Sequence, residues 1–147
     1  EELRQCAEEV AQKARDMAPY EYSDLKEAIQ VARRGGARDA RGRFISGVSN
    51  YEVFINLRHP VKDPDAKGVN AVEAYAWEVH EHMGWGSTPG SLYIHGKPFM
   101  PNPDRSRGPN GEERGGQFLY RALEELREGI YARINRKITG YTQALDN

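Results

Sequence analysis

The carboxyl-terminal segment GQFLYRALEELREGIYARINRKI, residues 116–138, most strongly limits how this chain can fold. Its apolar side chains recur every three to four residues, which is the period of an α-helix with one apolar face. These positions are Leu119, Leu123, Leu126, Ile130, Ile134 and Ile138. Acidic residues lie toward the start of the segment and basic residues toward its end, which matches the helix dipole. They are Glu112, Glu113, Glu124 and Glu125, then Arg133, Arg136 and Lys137. The sequence therefore predicts a long amphipathic helix.

The amino-terminal segment has the same period. Its apolar face comprises Leu3, Cys6, Ala7, Val10, Ala14 and Met17. This helix must end near Pro19, because proline lacks an N–H and forces the preceding residue out of helical geometry. After it, Ser23 is a candidate N-cap, and Leu25 and Ile29 lie on one side of a short helix that leads toward a strand.

The next segment, RRGGARDARGRF, combines three glycines with a cluster of arginines. The arginines are Arg33, Arg34, Arg38, Arg41 and Arg43. Glycine-rich, charged sequence is typical of a loop, and here it indicates the tip of a β-hairpin. Residues 44–58 then alternate apolar and polar side chains and are rich in β-branched and aromatic residues, which favours a strand.

The segment YAWEVHEHMGWG, residues 75–86, places two histidines beside two glutamates. Asn70 and Glu73 form a capping-box pattern, and the apolar residues that follow have helical spacing, so a helix is expected. On a helix His80 and His82 point about 200° apart and cannot bind one ion together as the two histidines of an H-E-x-x-H motif do. A metal-dependent hydrolase stays open as an alternative, because on a strand both histidines would share a face. Its other candidate ligands are Glu78, Glu81, His59 and His95.

Residues 84–116 contain five of the eight prolines and many glycines. A connection this long is usually functional or becomes ordered on assembly, so we interpret it as an extended arm. Several aromatic residues and prolines in and before the arm are candidates for core or subunit-interface packing, with the prolines holding the arm extended. They are Tyr75, Trp77, Trp85, Phe99, Pro98 and Pro101.

Composition limits the remaining function classes. A length of 147 residues predicts one domain, spanning residues 1–147 and including the arm. The formal net charge of -1 gives no overall attraction to nucleic acid, so the arginine loop is the only local candidate for a nucleic-acid-binding module. Cys6, the single cysteine, lies on an apolar helix face, where burial explains it better than nucleophilic catalysis. No phosphate-binding glycine motif occurs, and no apolar run is long enough to span a membrane.

The order of these motifs resembles the tail-completion and head–tail joining proteins of tailed bacteriophages. The resemblance rests on an alanine-proline before a turn and a leucine-containing helix, then a tyrosine-alanine followed by a glutamate and a glycine, then a proline-phenylalanine with a second proline. The matching residues are Ala18, Pro19, Leu25, Tyr75, Ala76, Glu78 or Glu81, Gly84, Pro98, Phe99 and Pro101. The turn after Pro19 and the length of the segment after Gly84 depart from the usual pattern.

The resemblance implies an α+β fold, with a small antiparallel β-sheet packed by amino- and carboxyl-terminal helices and a long Pro/Gly-rich arm. It also implies a virion structural protein of the neck, tail-completion or tail-terminator type, with neither enzyme activity nor a cofactor. Such a subunit would assemble in the host cytoplasm as a homo-oligomeric ring, six-fold or twelve-fold, in the neck or upper tail. Its partners would be neighbouring neck, connector or tail-tube proteins, with transient contact between the arginine loop and genomic DNA in the bore, and no membrane. A mean hydropathy of -0.81 fits a subunit that gains part of its order from neighbours.

Overall fold

The structure, a computed structural model, describes residues 1–19, 24–34, 39–43, 50–61, 72, 76–82, 93–94, 97–98 and 107–146. Several predictions fall outside these residues. They concern Ser23, Arg38, Asn70, Glu73, Tyr75, Gly84, Trp85, His95, Phe99 and Pro101.

Four helices and four strands follow one another along the described chain. The helices are α1 (Glu2–Met17), α2 (Asp24–Ala28), α3 (Ala76–His82) and α4 (Phe118–Asp146). The strands are β1 (Ile29–Arg34), β2 (Asn50–Ile55), β3 (Tyr93–Ile94) and β4 (Lys97–Pro98). Helix α1 ends where predicted, because Ala18, the residue before Pro19, has an extended conformation with φ -66° and ψ 138°.

Strands β1 and β2 form the predicted antiparallel hairpin. Their register pairs Ile29 with Ile55 at one end and Arg34 with Asn50 at the other. Cross-strand partners lie on the same face of a sheet, so this register brings Ile29, Val31, Val53 and Ile55 together on the face that packs against the core. Strands β3 and β4 form a separate two-residue antiparallel pair, with Tyr93 opposite Pro98.

Helices α1 and α4 lie side by side and run in opposite directions. The backbone N–H of Gly115, just before α4, donates to the carbonyl of Met17 at the end of α1, at 2.9 Å. Far along α4, Arg133 contacts Glu2 at the start of α1. The chain is therefore an α+β fold in which the first and last helices pack against a small antiparallel sheet, as the resemblance implied.

One hydrophobic core joins these elements. Its fully buried side chains include Met17 of α1, Ile29 of β1, Val79 of α3 and Phe118 of α4. Removing a buried aromatic ring such as Phe118 typically costs about 3–5 kcal/mol, so the first turn of α4 is a main anchor of the fold. Among the described residues, no helix has both the length and the apolar character needed to cross a membrane.

Two expectations for the long helix were wrong. Helix α4 has 29 residues and continues to Asp146, beyond the predicted end near residue 138. Its first turn contains no acidic residue and its last turn no basic residue, so the charges do not match the helix dipole. Glu112 and Glu113 precede the helix, and Arg133 lies in its middle, where it pairs with α1.

The predicted apolar faces also differ from the buried ones. Leu3 in the first turn of α1 is 44% exposed, and Leu123 and Ile138 of α4 are exposed as well. Ala11, which did not belong to the predicted face, is fully buried. In the arginine segment, Arg33 and Arg34 belong to strand β1 rather than to the loop.

Residues 107–116, the end of the predicted arm, pack against the carboxyl end of α1 in a turn that we call the α1 clamp. Within it, the N–H of Gly108 donates to the carbonyl of Glu112 at 2.8 Å. Arg114 Nε donates to the carbonyl of Asp16 at 3.1 Å, and Gly115 N–H donates to that of Met17. The clamp thus satisfies carbonyl groups that have no partner inside the helix at its end.

Candidate interaction site

The last nine residues of α4, 138–146, form a projecting helix that we call the α4 tail. Ile138, Tyr141 and Leu145 are 58%, 73% and 87% exposed. Their spacing of three and four residues places them on one face of the helix, in line with Ile130, which packs against the core. The apolar stripe that joins α4 to α1 therefore continues beyond Arg133, which pairs with Glu2, and is exposed there.

The position of the α4 tail follows from the pairing of the two helices. Arg133 binds Glu2 at 2.7 Å and Glu9 at 2.6 Å, which sets the first turn of α1 beside the middle of α4. The hydrogen bond to Glu9 raises the pKa of the Arg133 guanidinium most, and the hydrogen bond to Glu2 raises it further. The positive charge that pairs the two helices therefore persists at any physiological pH. At 1.5 Å per residue, the tail extends for about 13 Å.

An open apolar depression, the core groove, lies between α1, β2 and α4. Cys6, Ala7 and Val10 of α1 line it together with Tyr51 and Val53 of β2. Leu119, Leu123 and Ile130 of α4 complete the lining, and the groove has a volume of about 390 Å³. Among the residues that the structure describes, eight line the groove and none of them is charged. Exposed apolar surface of this kind commonly marks a site of protein contact.

Cys6 lies in this groove and is buried. Burial raises the pKa of its thiol above the ordinary value of 9.0, an effect that the nearby Arg133 only partly opposes. A catalytic cysteine instead needs a lowered pKa, so this environment favours a packing role for Cys6.

Trp77 is the best described of the predicted packing residues. It lies on α3 and is 67% exposed, while Ala76 and Val79 of the same helix point into the core. Trp77 is therefore no part of the core, and its role in a subunit interface stays a prediction. Pro98 belongs to the two-residue strand β4, and its role in holding the arm extended stays a prediction.

The arginine segment is divided between a strand and a turn. Arg34 binds Glu52 across the hairpin at 2.6 Å and lies over the ring of Phe54 at 5.5 Å. Arg43 binds Asp39 at 2.9 Å, and the N–H of Arg43 most strongly lowers the pKa of that carboxyl group. These contacts occupy two of the guanidinium groups, whereas the exposed Arg33 and Arg41 remain the better candidates for phosphate.

His59 and His80 each lie beside a different carboxylate. His80 Nδ1 lies 2.8 Å from the carboxylate of Glu81, and its ring packs edge-on against Phe118 at 4.8 Å between centroids. His59 lies instead beside Glu27, at 3.6 Å. Across the described residues, no three His, Cys, Asp or Glu side chains form a group that could hold a metal ion.

Several buried charged residues were not anticipated from the sequence. They are Asp16, Asp24, Glu112, Arg114 and Arg121. Arg121 is typical: its side chain donates to the carbonyls of Gly116 at 3.0 Å and Glu113 at 2.9 Å, and so fastens the α1 clamp to α4. The GPNG sequence at 108–111 is a strong turn signal that could have located the clamp.

Comparisons with protein-family models, curated proteins and solved structures found no match to this chain.

Proposed function

We propose that the chain is a structural subunit of the head–tail connection of a tailed bacteriophage, of the neck, tail-completion or tail-terminator type. The observation that carries the proposal is the α4 tail, which leaves Ile138, Tyr141 and Leu145 in solvent. Large apolar side chains that recur along one exposed helix face are typical of surfaces that other proteins cover. The order of the sequence motifs supports the particular kind of assembly.

The proposed subunit acts through its contacts. It forms a homo-oligomeric ring in the virion, six-fold or twelve-fold, between connector and tail-tube proteins. Exposed Trp77 on α3 supplies a second apolar contact, on a different helix from the α4 tail. Aromatic side chains with this exposure provide large contact areas when a partner covers them.

Native mass spectrometry tests this proposal, because one spectrum reports both the number of copies and any bound metal. We expect a metal-free ring of several copies, formed by the chain alone or after connector and tail-tube proteins of the same genome are added. Electron microscopy should show an open bore. A monomer or dimer that carries stoichiometric zinc or manganese and ignores those partners would overturn the proposal in favour of a metal-dependent hydrolase.

Contact with DNA in the bore is part of the same proposal. Replacing exposed Arg33 and Arg41 by Gln should weaken DNA retention and reduce the salt dependence of DNA affinity, because each lost phosphate contact lowers the slope by about 0.9. Arg34→Gln is the matched control, since Arg34 is bound to Glu52 and should change the slope little. Equal slopes for the wild type and the Arg33/Arg41 variant would exclude these arginines from the bore.

A further inference from the structure

We propose that copies of this chain join head to tail, with the α4 tail of one copy seated in the core groove of the next. The inference rests on the proposed ring and identifies the contact that builds it. Two surfaces described above supply the contact: an exposed apolar helix face and an open apolar groove.

The α4 tail has the form of a groove-binding helix. Ile138, Tyr141 and Leu145 occupy positions i, i+3 and i+7, the spacing with which amphipathic helices place anchor side chains into apolar grooves. The receiving groove offers aliphatic walls from Val10, Val53 and Leu123. Burial of these three large apolar anchors would favour association.

Most of the α4 tail has no charged side chains, which suits it to burial. Residues 138–145, ITGYTQAL, contain no charged side chain, although α4 carries Arg133, Arg136 and Lys137 just before them. Charged residues are depleted at the centres of protein interfaces, whereas a solvated helix end normally carries them. Since the lining of the core groove is uncharged too, neither surface would bury an unpaired charge.

The tail cannot fill the groove of its own chain. Helix α4 is continuous from Phe118 to Asp146, and its residues Leu119, Leu123 and Ile130 already form one wall of the groove. Ile138 lies about 12 Å beyond Ile130 along the same helix. The α4 tail can therefore enter this groove only from a second molecule, and every copy carries one.

The symmetry of this contact differs from that of a pair of tails. Because groove and tail are different surfaces, each copy uses both, and the contact repeats from copy to copy until a ring closes. Pairing two tails about a two-fold axis would stop at a dimer and leave both grooves open. The head-to-tail contact covers both apolar surfaces and gives the ring.

Cysteine cross-linking tests the contact directly. In a Cys6→Ala background, Leu123→Cys marks the groove and Leu145→Cys marks the tail, both at exposed positions. Oxidation of the assembled double variant should yield a ladder of linked copies, whereas either cysteine alone should yield none. Gly140→Cys combined with Leu123→Cys is the matched control, because residue 140 faces away from the stripe and an added Cβ meets nothing within 4 Å.

A charge in the tail tests its energetic role. Leu145→Asp should weaken the copy-to-copy affinity at least about tenfold by placing an unpaired charge in the groove, and Gln143→Asp on the other side of the helix should not. Both substitutions add one carboxylate to the last turn of α4, so the monomers of the two variants should have the same melting temperature.

The other outcomes separate this inference from the proposed function. Linked dimers from Leu145→Cys alone would replace it with tail-to-tail pairing. Normal ring formation by Leu145→Asp would refute the groove contact. The same conclusion would follow if the double cysteine variant formed rings but gave no ladder. In both cases the proposed ring itself would stand. A wild-type chain that forms no ring, alone or with virion proteins, would refute both.

Discussion

Gly108→Ala should destabilise the protein, because the α1 clamp leaves no space for a methyl group. A Cβ at Gly108 would lie 2.6 Å from the carbonyl oxygen of Asp16 and 2.6 Å from Glu112 Oε2. The Asp16 oxygen belongs to the backbone of α1 and already accepts from Arg114, so it has little freedom to move. Glu112 is held as well, since it accepts from the N–H of Asn110 at 2.9 Å and binds Lys13 at 3.2 Å.

The expected magnitude follows from this crowding. Forcing one extra methyl group into a closely packed site costs about 1–3 kcal/mol, and the rigid backbone oxygen favours the middle of that range, about 2 kcal/mol. For a chain of this size, such a loss lowers the melting temperature by about 4–8 °C. Part of the loss would come from α1, whose terminal carbonyls depend on the clamp.

Thermal unfolding followed by circular dichroism measures this change, with Gly129→Ala as the matched control. Gly129 lies inside α4, and a Cβ there meets nothing within 4 Å, so the same substitution should stabilise the helix by about 0.5–1 kcal/mol. The two variants should therefore shift the melting temperature in opposite directions. An unchanged or raised melting temperature for Gly108→Ala would show that the clamp does not pack tightly on α1.

Three further predictions concern charged and titratable groups. Burial alone would raise the pKa of Glu112, but the N–H groups of Glu112 and Asn110 and the Lys13 ammonium lower it overall. The Glu112 carboxylate therefore stabilises the fold above its ordinary pKa of 4.5 and loses that contribution as the pH falls through the lower folded-state pKa. Glu112→Gln should weaken the pH dependence of the melting temperature in this acidic range. A pH dependence equal to that of the wild type would show that Glu112 does not stabilise the fold in this way. Cys6 should react with iodoacetamide slowly at neutral pH in the folded protein and quickly in denaturant, because burial raises the pKa of its thiol; rapid labelling of the folded chain would contradict this. Arg133→Met should lower the melting temperature more at low salt than at high salt, because it removes the pairing with Glu2 and Glu9. Arg127→Met, which removes only a contact with Glu124 inside α4, is its control, and equal losses for both would refute the role of Arg133 in joining the helices.

Local sequence patterns predict most of the secondary-structure elements of this protein. Helix periodicity located α1 and most of α4, Pro19 set the end of α1, and alternation located β2. These signals are local, since a helix face depends on residues three and four apart and a strand face on residues two apart. The apolar groove and tail could be anticipated only in part: Ile138 belonged to the predicted stripe, but no local pattern showed that it would be exposed.

The partner that each side chain contacts depends on the tertiary packing of the elements. Arg133, which seemed to complement the helix dipole, instead pairs with Glu2 and Glu9 on α1. Arg121 and Glu112 look like solvated residues in the sequence, yet both are buried. Arg121 donates to carbonyl groups of the clamp, and Glu112 binds the ammonium group of Lys13, which lies 99 residues earlier in the chain. Leu145 is exposed because it lies beyond Arg133, the residue through which α4 pairs with Glu2 of α1. Periodicity gives the direction of a side chain around its own helix, whereas burial depends on the long-range packing of helices whose relative position no local pattern encodes.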